Sequence, residues 1–127
     1  MAQDTYIPRP GDDALFLSPV QALAASGAVT LPAGNTTFHI TKSSAGAALT
    51  IVDPTTAVHD GLTLAFVSDT AQAHTLDNSA GSGFFSSGGS SKDIATFGGA
   101  IGDGLTIQAY QGKWYILPGQ SLNITLG

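Results

Sequence analysis

The sequence contains no cysteine and no glutamate, and it has few basic residues. Without cysteine, the fold cannot use disulfide bonds or thiolate metal ligands. All nine acidic residues are Asp, and Lys and Arg together number four, which gives a net charge of −5. A nucleic-acid interface needs a basic face to neutralise phosphates, so we expect no DNA or RNA binding. No run approaches the ~20 apolar residues of a transmembrane helix, and we expect no membrane partner.

The residues that are abundant, Thr, Ser and Gly, favour β-structure over helices, whose surfaces usually carry Glu, Lys and Arg. An apolar-Thr-apolar triplet, which suits a pleated surface with one polar face, occurs five times. The triplets are Val29-Thr30-Leu31, Leu49-Thr50-Ile51, Leu62-Thr63-Leu64, Leu105-Thr106-Ile107 and Ile124-Thr125-Leu126. We predict an all-β protein, an antiparallel β-sandwich or barrel that is jelly-roll-like or β-tulip-like. Residues 14–127 form its single domain, and residues 1–13 form a short extended N-terminal arm.

The C-terminal region contains the clearest hairpin pattern. Two alternating runs flank Gln111-Gly112, a dipeptide that fits a two-residue turn. The expected register pairs Tyr110 with Lys113, Ala109 with Trp114, Gln108 with Tyr115, Ile107 with Ile116 and Leu105 with Pro118. This register places Trp114 in the core and leaves Tyr110 and Tyr115 on the opposite side. Pro118-Gly119 is then expected to form a type II turn into a third strand, Leu122–Leu126, which completes an antiparallel meander.

Other segments leave alternatives open. Ser18-Pro19 followed by Val20–Ala25 satisfies a short helix pattern, but we favour a strand. Leu62–Ser68 is apolar on both faces, which indicates a central strand. Phe84-Phe85 lies in a Gly- and Ser-rich segment, 77–92, which is typical of a long flexible loop. The two rings are expected either to hold this loop against the body or to contact a partner.

The sequence shows no strong signature of catalysis or cofactor binding. His39, His59 and His74 are too far apart in sequence for a helix or loop metal motif. No lysine follows the glycines at 98–104, so a phosphate-binding loop is not indicated. Two Asp residues brought together by folding are the remaining route to catalysis. We expect no enzyme, no cofactor and no metal.

Several segments of the C-terminal half resemble small β proteins of tailed bacteriophages that decorate or cement capsids, and related head- and tail-fibre modules. The residues that carry the resemblance are Ala73-His74-Thr75-Leu76, Asp93-Ile94-Ala95-Thr96-Phe97, Gly102-Asp103-Gly104-Leu105-Thr106, Ala109-Tyr110-Gln111-Gly112-Lys113-Trp114-Tyr115 and Asn123-Ile124-Thr125-Leu126. The resemblance implies a homotrimer on the capsid surface of a virion assembled in the host cytoplasm. It also implies that the arm contacts the major capsid protein.

From this resemblance we predict a virion structural protein that binds the outside of a phage capsid as a trimer and stabilises the mature shell. The alternative is a phage fibre module that binds a host-surface glycan. Apolar or aromatic residues of the arm and of the Gly-rich loop are the expected partner-binding residues: Tyr6, Ile7, Pro8, Arg9, Phe84 and Phe85. Shallow exposed aromatic groups with polar neighbours would favour the glycan-binding alternative.

Overall fold

The computed structural model describes residues 19–127, and these residues form twelve strands. In chain order the strands are β1 (Val20–Leu23), β2 (Gly27–Ala28), β3 (Thr36–Ile40), β4 (Ala48–Thr50), β5 (Thr63–Ser68), β6 (Thr75–Asp77), β7 (Phe84–Phe85), β8 (Ser91–Lys92), β9 (Ile94–Phe97), β10 (Gly104–Tyr110), β11 (Lys113–Leu122) and β12 (Ile124–Leu126). None of the described residues forms a helix that could cross a membrane.

The strands form two sheets between which the chain passes repeatedly. The first sheet has the order β1-β3-β5-β10-β11-β7-β8, and the second has the order β12-β9-β6-β4-β2. From β1 to β6 the chain places one strand in each sheet alternately, and every pair among these six strands is parallel. Three successive coils therefore wind around a common interior, as in a two-sided parallel β-helix. From β9 onward the strands add antiparallel pairs to both sheets, and β11 also pairs in parallel with β7.

The core lies between the two sheets. Side chains alternate along each strand, so Phe38 and Ile40 of β3 are buried while Thr37 and His39 are half-buried on the outer face. Rings of consecutive coils stack on the inner face, where Phe38 and Phe66 have centroids 5.0 Å apart and planes inclined by 17°. Inner residues of the second sheet, including Leu49, Leu76 and Phe97, belong to the same hydrophobic cluster. One continuous core thus joins the sheets into a sandwich.

The predicted all-β fold class and sandwich arrangement are confirmed, but the strand directions differ from the prediction. Five of the ten strand pairs are parallel, so the sheets are mixed and not antiparallel throughout. Within residues 19–127 both sheets are open, and no barrel closes. The predicted arm, residues 1–13, and the proposed domain boundary at residue 14 lie outside the described residues.

The C-terminal hairpin follows the predicted register over its first four pairs, from Tyr110–Lys113 to Ile107–Ile116. Gln111 and Gly112 both have positive φ, 53° and 77°, as a type I′ turn requires. The prediction that Leu105 pairs with Pro118 is wrong, because a bulge intervenes and Leu105 pairs with Ser121.

The predicted three-stranded meander is also wrong. Gly119 does have a positive φ of 72°, but the chain returns from Pro118-Gly119 to the same neighbouring strand, β10. The third strand is β12, and it crosses to the second sheet, where it pairs with β9. Asn123, with a φ of 56°, provides the turn between β11 and β12.

Two further predictions are confirmed. Val20–Leu23 forms the strand β1 rather than a short helix, and it pairs in parallel with β3 at the edge of the first sheet. β5 occupies a central position between β3 and β10. The segment 77–92, by contrast, is not a plain flexible loop, because it contains the short strands β7 and β8.

Candidate functional site

The three histidines lie in separate environments. His39 Nδ1 is 2.6 Å from Asp69 Oδ1 on the partly exposed outer side of the first sheet. His59 Nδ1 accepts a hydrogen bond from the Thr55 N–H within a turn. His74 is fully buried. Among residues 19–127 no three His, Cys, Asp or Glu side chains come together in an arrangement that could hold a metal ion.

The buried His74 connects two loops, the one between β3 and β4 and the one between β5 and β6. Its Nδ1 accepts from the Ala47 N–H at 2.9 Å, so a neutral ring carries its proton on Nε2. Nε2 lies 3.1 Å from Thr70 Oγ1, and that hydroxyl donates onward to the Lys42 carbonyl at 2.7 Å. Burial, and to a smaller extent the positive charge of Lys42, lower the pKa of His74. The imidazole therefore acts as a neutral structural connector.

Most carboxylates of the described chain hold turns in place. Asp53 accepts hydrogen bonds from both the N–H and the hydroxyl of Ser82. Asp60 accepts from the N–H and side-chain amide of Gln111 at the hairpin turn. The two contacts join positions 29 and 51 residues apart in the sequence, so both carboxylates act as long-range tethers between segments.

Two more carboxylates serve the same purpose. The Asp77 carboxylate accepts a hydrogen bond from the Ser79 N–H at 2.7 Å. The pKa of Asp77 is lowered mainly by the Ser79 hydroxyl and to a smaller extent by the Ser79 N–H. Asp103 accepts from the Ala100 N–H at 2.9 Å and from Asn123 Nδ2 at 3.0 Å. The pKa of Asp103 is lowered chiefly by the Ala100 N–H. Both side chains are therefore held as anions by turn contacts.

A surface cleft of about 400 Å³ lies beside this turn system. One wall is formed by residues 50–53, at and after the end of β4, and the other by residues 77–81, at and after the end of β6. Asp53 supports one wall, because a Cβ added at Gly81 would come within 2.5 Å of its Oδ1. Two carboxylates, Asp53 and Asp77, are among the residues that line the cleft.

A second surface feature combines aromatic rings with a positive charge. The rings of Phe85 (β7) and Tyr115 (β11) have centroids 5.5 Å apart and an interplanar angle of 35°. Lys113 Nζ lies 5.5 Å from the centroid of the Phe85 ring, at cation–π distance. We call Phe85, Lys113 and Tyr115 the aromatic patch. All three residues lie on the outer face of the first sheet, because Trp114 between Lys113 and Tyr115 points into the core.

Strand pairing explains how the patch forms. The short strand β7 adds in parallel to β11, with Trp114 opposite Phe84 and Tyr115 opposite Phe85. The inward pair is fully buried, and Trp114 Nε1 donates to the Val52 carbonyl at 2.8 Å. The outward pair consequently sits on a rigid base, and Tyr115 is 38% exposed.

Comparison with known proteins finds no matching family model, no matching curated protein and no matching solved structure.

The predicted partner-binding residues fall into two groups. Tyr6, Ile7, Pro8 and Arg9 lie outside the described residues, so their role stays a prediction. Phe84 is fully buried, so its ring holds the segment against the body, as the first of the two alternatives predicted. It presents no surface to a partner. Phe85 is half-buried on the outer face and remains a predicted partner contact.

The sequence reasoning did not include Lys113 and Tyr115 among the site residues. Their outward direction was predictable from the hairpin register, and the predicted exposure of Tyr110 and Tyr115 is confirmed at 57% and 38%. Their proximity to Phe85 was not predictable, because the Gly- and Ser-rich sequence around β7 carries no alternation that would assign it a neighbouring strand.

Proposed function

We propose that this chain is a virion structural protein that binds the outside of a bacteriophage capsid as a homotrimer and stabilises the mature shell. Its partner is the major capsid protein, which the predicted arm residues Tyr6, Ile7, Pro8 and Arg9 contact. The proposal starts from the resemblance of the C-terminal segments to capsid decoration proteins.

The observation that best supports a structural role is how the body uses its polar side chains. The three histidines and five Asp residues engage in contacts that hold turns, strand ends and the buried network around His74. The exposed surface of the described residues offers groups for contact with a partner. They include several exposed apolar side chains, among them Val58 and Ile101.

A cement protein of this kind works through binding linkage. If the trimer binds the assembled lattice and not the separated subunits, each bound copy shifts the equilibrium toward the intact shell. Three equivalent arms add avidity, because the second and third contacts are made at a high effective concentration. Individually weak contacts can then give firm attachment.

The direct test is co-sedimentation of the protein with expanded, undecorated capsids, combined with light scattering of the free protein. We expect a trimer in solution and saturable binding to the capsids. Deleting residues 1–10 should reduce binding while the circular dichroism spectrum of the β body is retained. Failure of the full chain to bind such capsids would sink the cement proposal, and unchanged binding of the deletion variant would remove the role given to the arm.

The aromatic patch favours a second candidate, a phage fibre module that binds a host-surface glycan. Exposed rings with polar neighbours are a common way to hold sugars, whose apolar C–H faces stack on aromatic groups. Imaging the virion with and without the protein separates the candidates. Density lost from the capsid surface supports decoration, and density lost from a fibre supports the glycan-binding module.

A further inference from the structure

The aromatic patch carries a local charge that differs from that of the protein as a whole. The chain has a net charge of −5, yet the charged group of the patch is the ammonium of Lys113. Asp60 keeps its negative charge, but Gln111 holds its carboxylate at the hairpin turn, outside the three residues of the patch. A ligand at the patch thus meets two rings and one positive charge.

Hydrogen-bonding side chains extend the patch along one row of the sheet. Strand pairing places Gln108 (β10) beside Tyr115 on one side and Ser91 (β8) opposite Phe85 on the other. The Gln108 amide is positioned by donating to Thr63 Oγ1 at 3.2 Å. The row contains no carboxylate, so it presents neutral polar groups around the rings.

We propose that the aromatic patch binds a sugar ring that carries a carboxylate, such as a uronic acid residue of an acidic glycan. The C–H face of the ring stacks on Tyr115, the more exposed of the two rings, at the edge of Phe85, and the carboxylate pairs with Lys113. Gln108 and Ser91 contact hydroxyl groups of the sugar. The inference rests on the second candidate function, glycan binding, and is independent of whether the chain decorates a capsid.

The charge selects among possible ligands. A neutral sugar would gain stacking but no interaction with Lys113, so the acidic sugar should bind more tightly. A polyphosphate such as nucleic acid requires several cations, whereas the patch supplies one within a net acidic protein. A sugar ring that carries one carboxylate can stack on the aromatic groups and pair with the single ammonium.

The test is a titration of the full chain, labelled with ¹⁵N, with methyl β-D-glucuronide and, as the matched neutral probe, methyl β-D-glucoside. We expect saturable amide shifts around residues 85 and 113–115 with a dissociation constant on the order of 1 mM. The acidic sugar should bind about 1.5- to 5-fold more tightly, as expected for one exposed ion pair. The difference should disappear in about 0.5 M NaCl because salt screens exposed charges.

Three variants assign the effect to named groups. Lys113→Gln should abolish the preference for the acidic sugar, and Tyr115→Ala should weaken both sugars about two- to tenfold. Lys42→Gln, which removes a lysine outside the patch, should leave the preference intact. A dispersed spectrum confirms that each variant is folded.

Equal affinity for both sugars, or a preference that persists in Lys113→Gln, would overturn the assignment of an acidic ligand while glycan binding itself survives. Absence of shifts at the patch with either sugar would overturn both the inference and the glycan-binding candidate. Neither result would bear on capsid binding, which the co-sedimentation experiment measures separately.

Discussion

The stacked rings of Phe38 and Phe66 provide a quantitative test of the contact between consecutive coils. The two residues lie opposite each other in the β3–β5 pair, are 1% and 0% exposed, and have ring centroids 5.0 Å apart. Replacing either ring with leucine keeps an apolar side chain and should cost about 1–2 kcal/mol of unfolding free energy. Alanine would cost about 3–5 kcal/mol, which risks unfolding a domain whose total stability is about 5–15 kcal/mol.

The double variant distinguishes stacking from simple burial. Once one ring is absent, the other has no stacking partner to lose, so the double variant should be less destabilised than the sum of the single variants. The difference should be about 0.5–1.5 kcal/mol, the usual range for an aromatic pair. If the two effects were independent, the difference would be zero.

Urea unfolding followed by tryptophan fluorescence is a suitable assay, because the single tryptophan, Trp114, is fully buried. With a urea dependence of about 2 kcal/mol per molar, each single variant should lower the midpoint by about 0.5–1 M. Tyr110→Leu removes an exposed ring and should change stability by less than about 0.5 kcal/mol. Strict additivity of Phe38→Leu and Phe66→Leu would refute the ring contact and the pairing that places the two residues opposite each other.

Two further predictions concern buried groups. Because burial lowers the pKa of His74 below its ordinary value of 6.5, its contribution to stability is complete above that pH and is lost as the pH falls toward the lower folded-state value. The urea midpoint should therefore be lower at about pH 5 than at about pH 7.5, with a smaller difference in His74→Gln; a midpoint that rises on acidification would contradict the sign. Gly104→Ala should cost about 1–3 kcal/mol, since the new Cβ would lie 2.5 Å from the Phe66 carbonyl oxygen. Gly34→Ala, where no atom lies within 4 Å of the new Cβ, is the control, and equal midpoints for the two alanine variants would show that the close approach of β10 and β5 is absent.

The hairpin shows how far local sequence patterns determine this fold. Side-chain alternation and the Gln111-Gly112 turn specify four consecutive pairs, because a shift by one residue would expose Trp114. The pattern fails at Pro118-Gly119, where a turn sequence forms a bulge within β11. Whether the chain leaves such a turn toward a new strand or returns to the old one depends on the neighbouring strand, which local sequence does not identify.

The parallel direction of the coils could not be predicted from the sequence for a different reason. Alternation has the same period in parallel and antiparallel strands, so it does not reveal direction. Repeats are usually recognised by a fixed period, but the coils here differ in length. Phe38 and its partner Phe66 are 28 residues apart, whereas Val20 and its partner Thr37 are 17 apart. The aromatic patch depends on the same kind of long-range pairing, between β7 and β11.

The alternating path of the chain has a consequence for synthesis on the ribosome. Each strand from β3 to β6 pairs with a strand made earlier, so the first three coils can assemble in the order in which they emerge. The strand β7 cannot do so, because it joins the first sheet by pairing with β11, which is translated later. Phe84 and Phe85 are therefore exposed on the nascent chain until β11 arrives. During this interval two aromatic side chains of the growing protein lack their final packing partners.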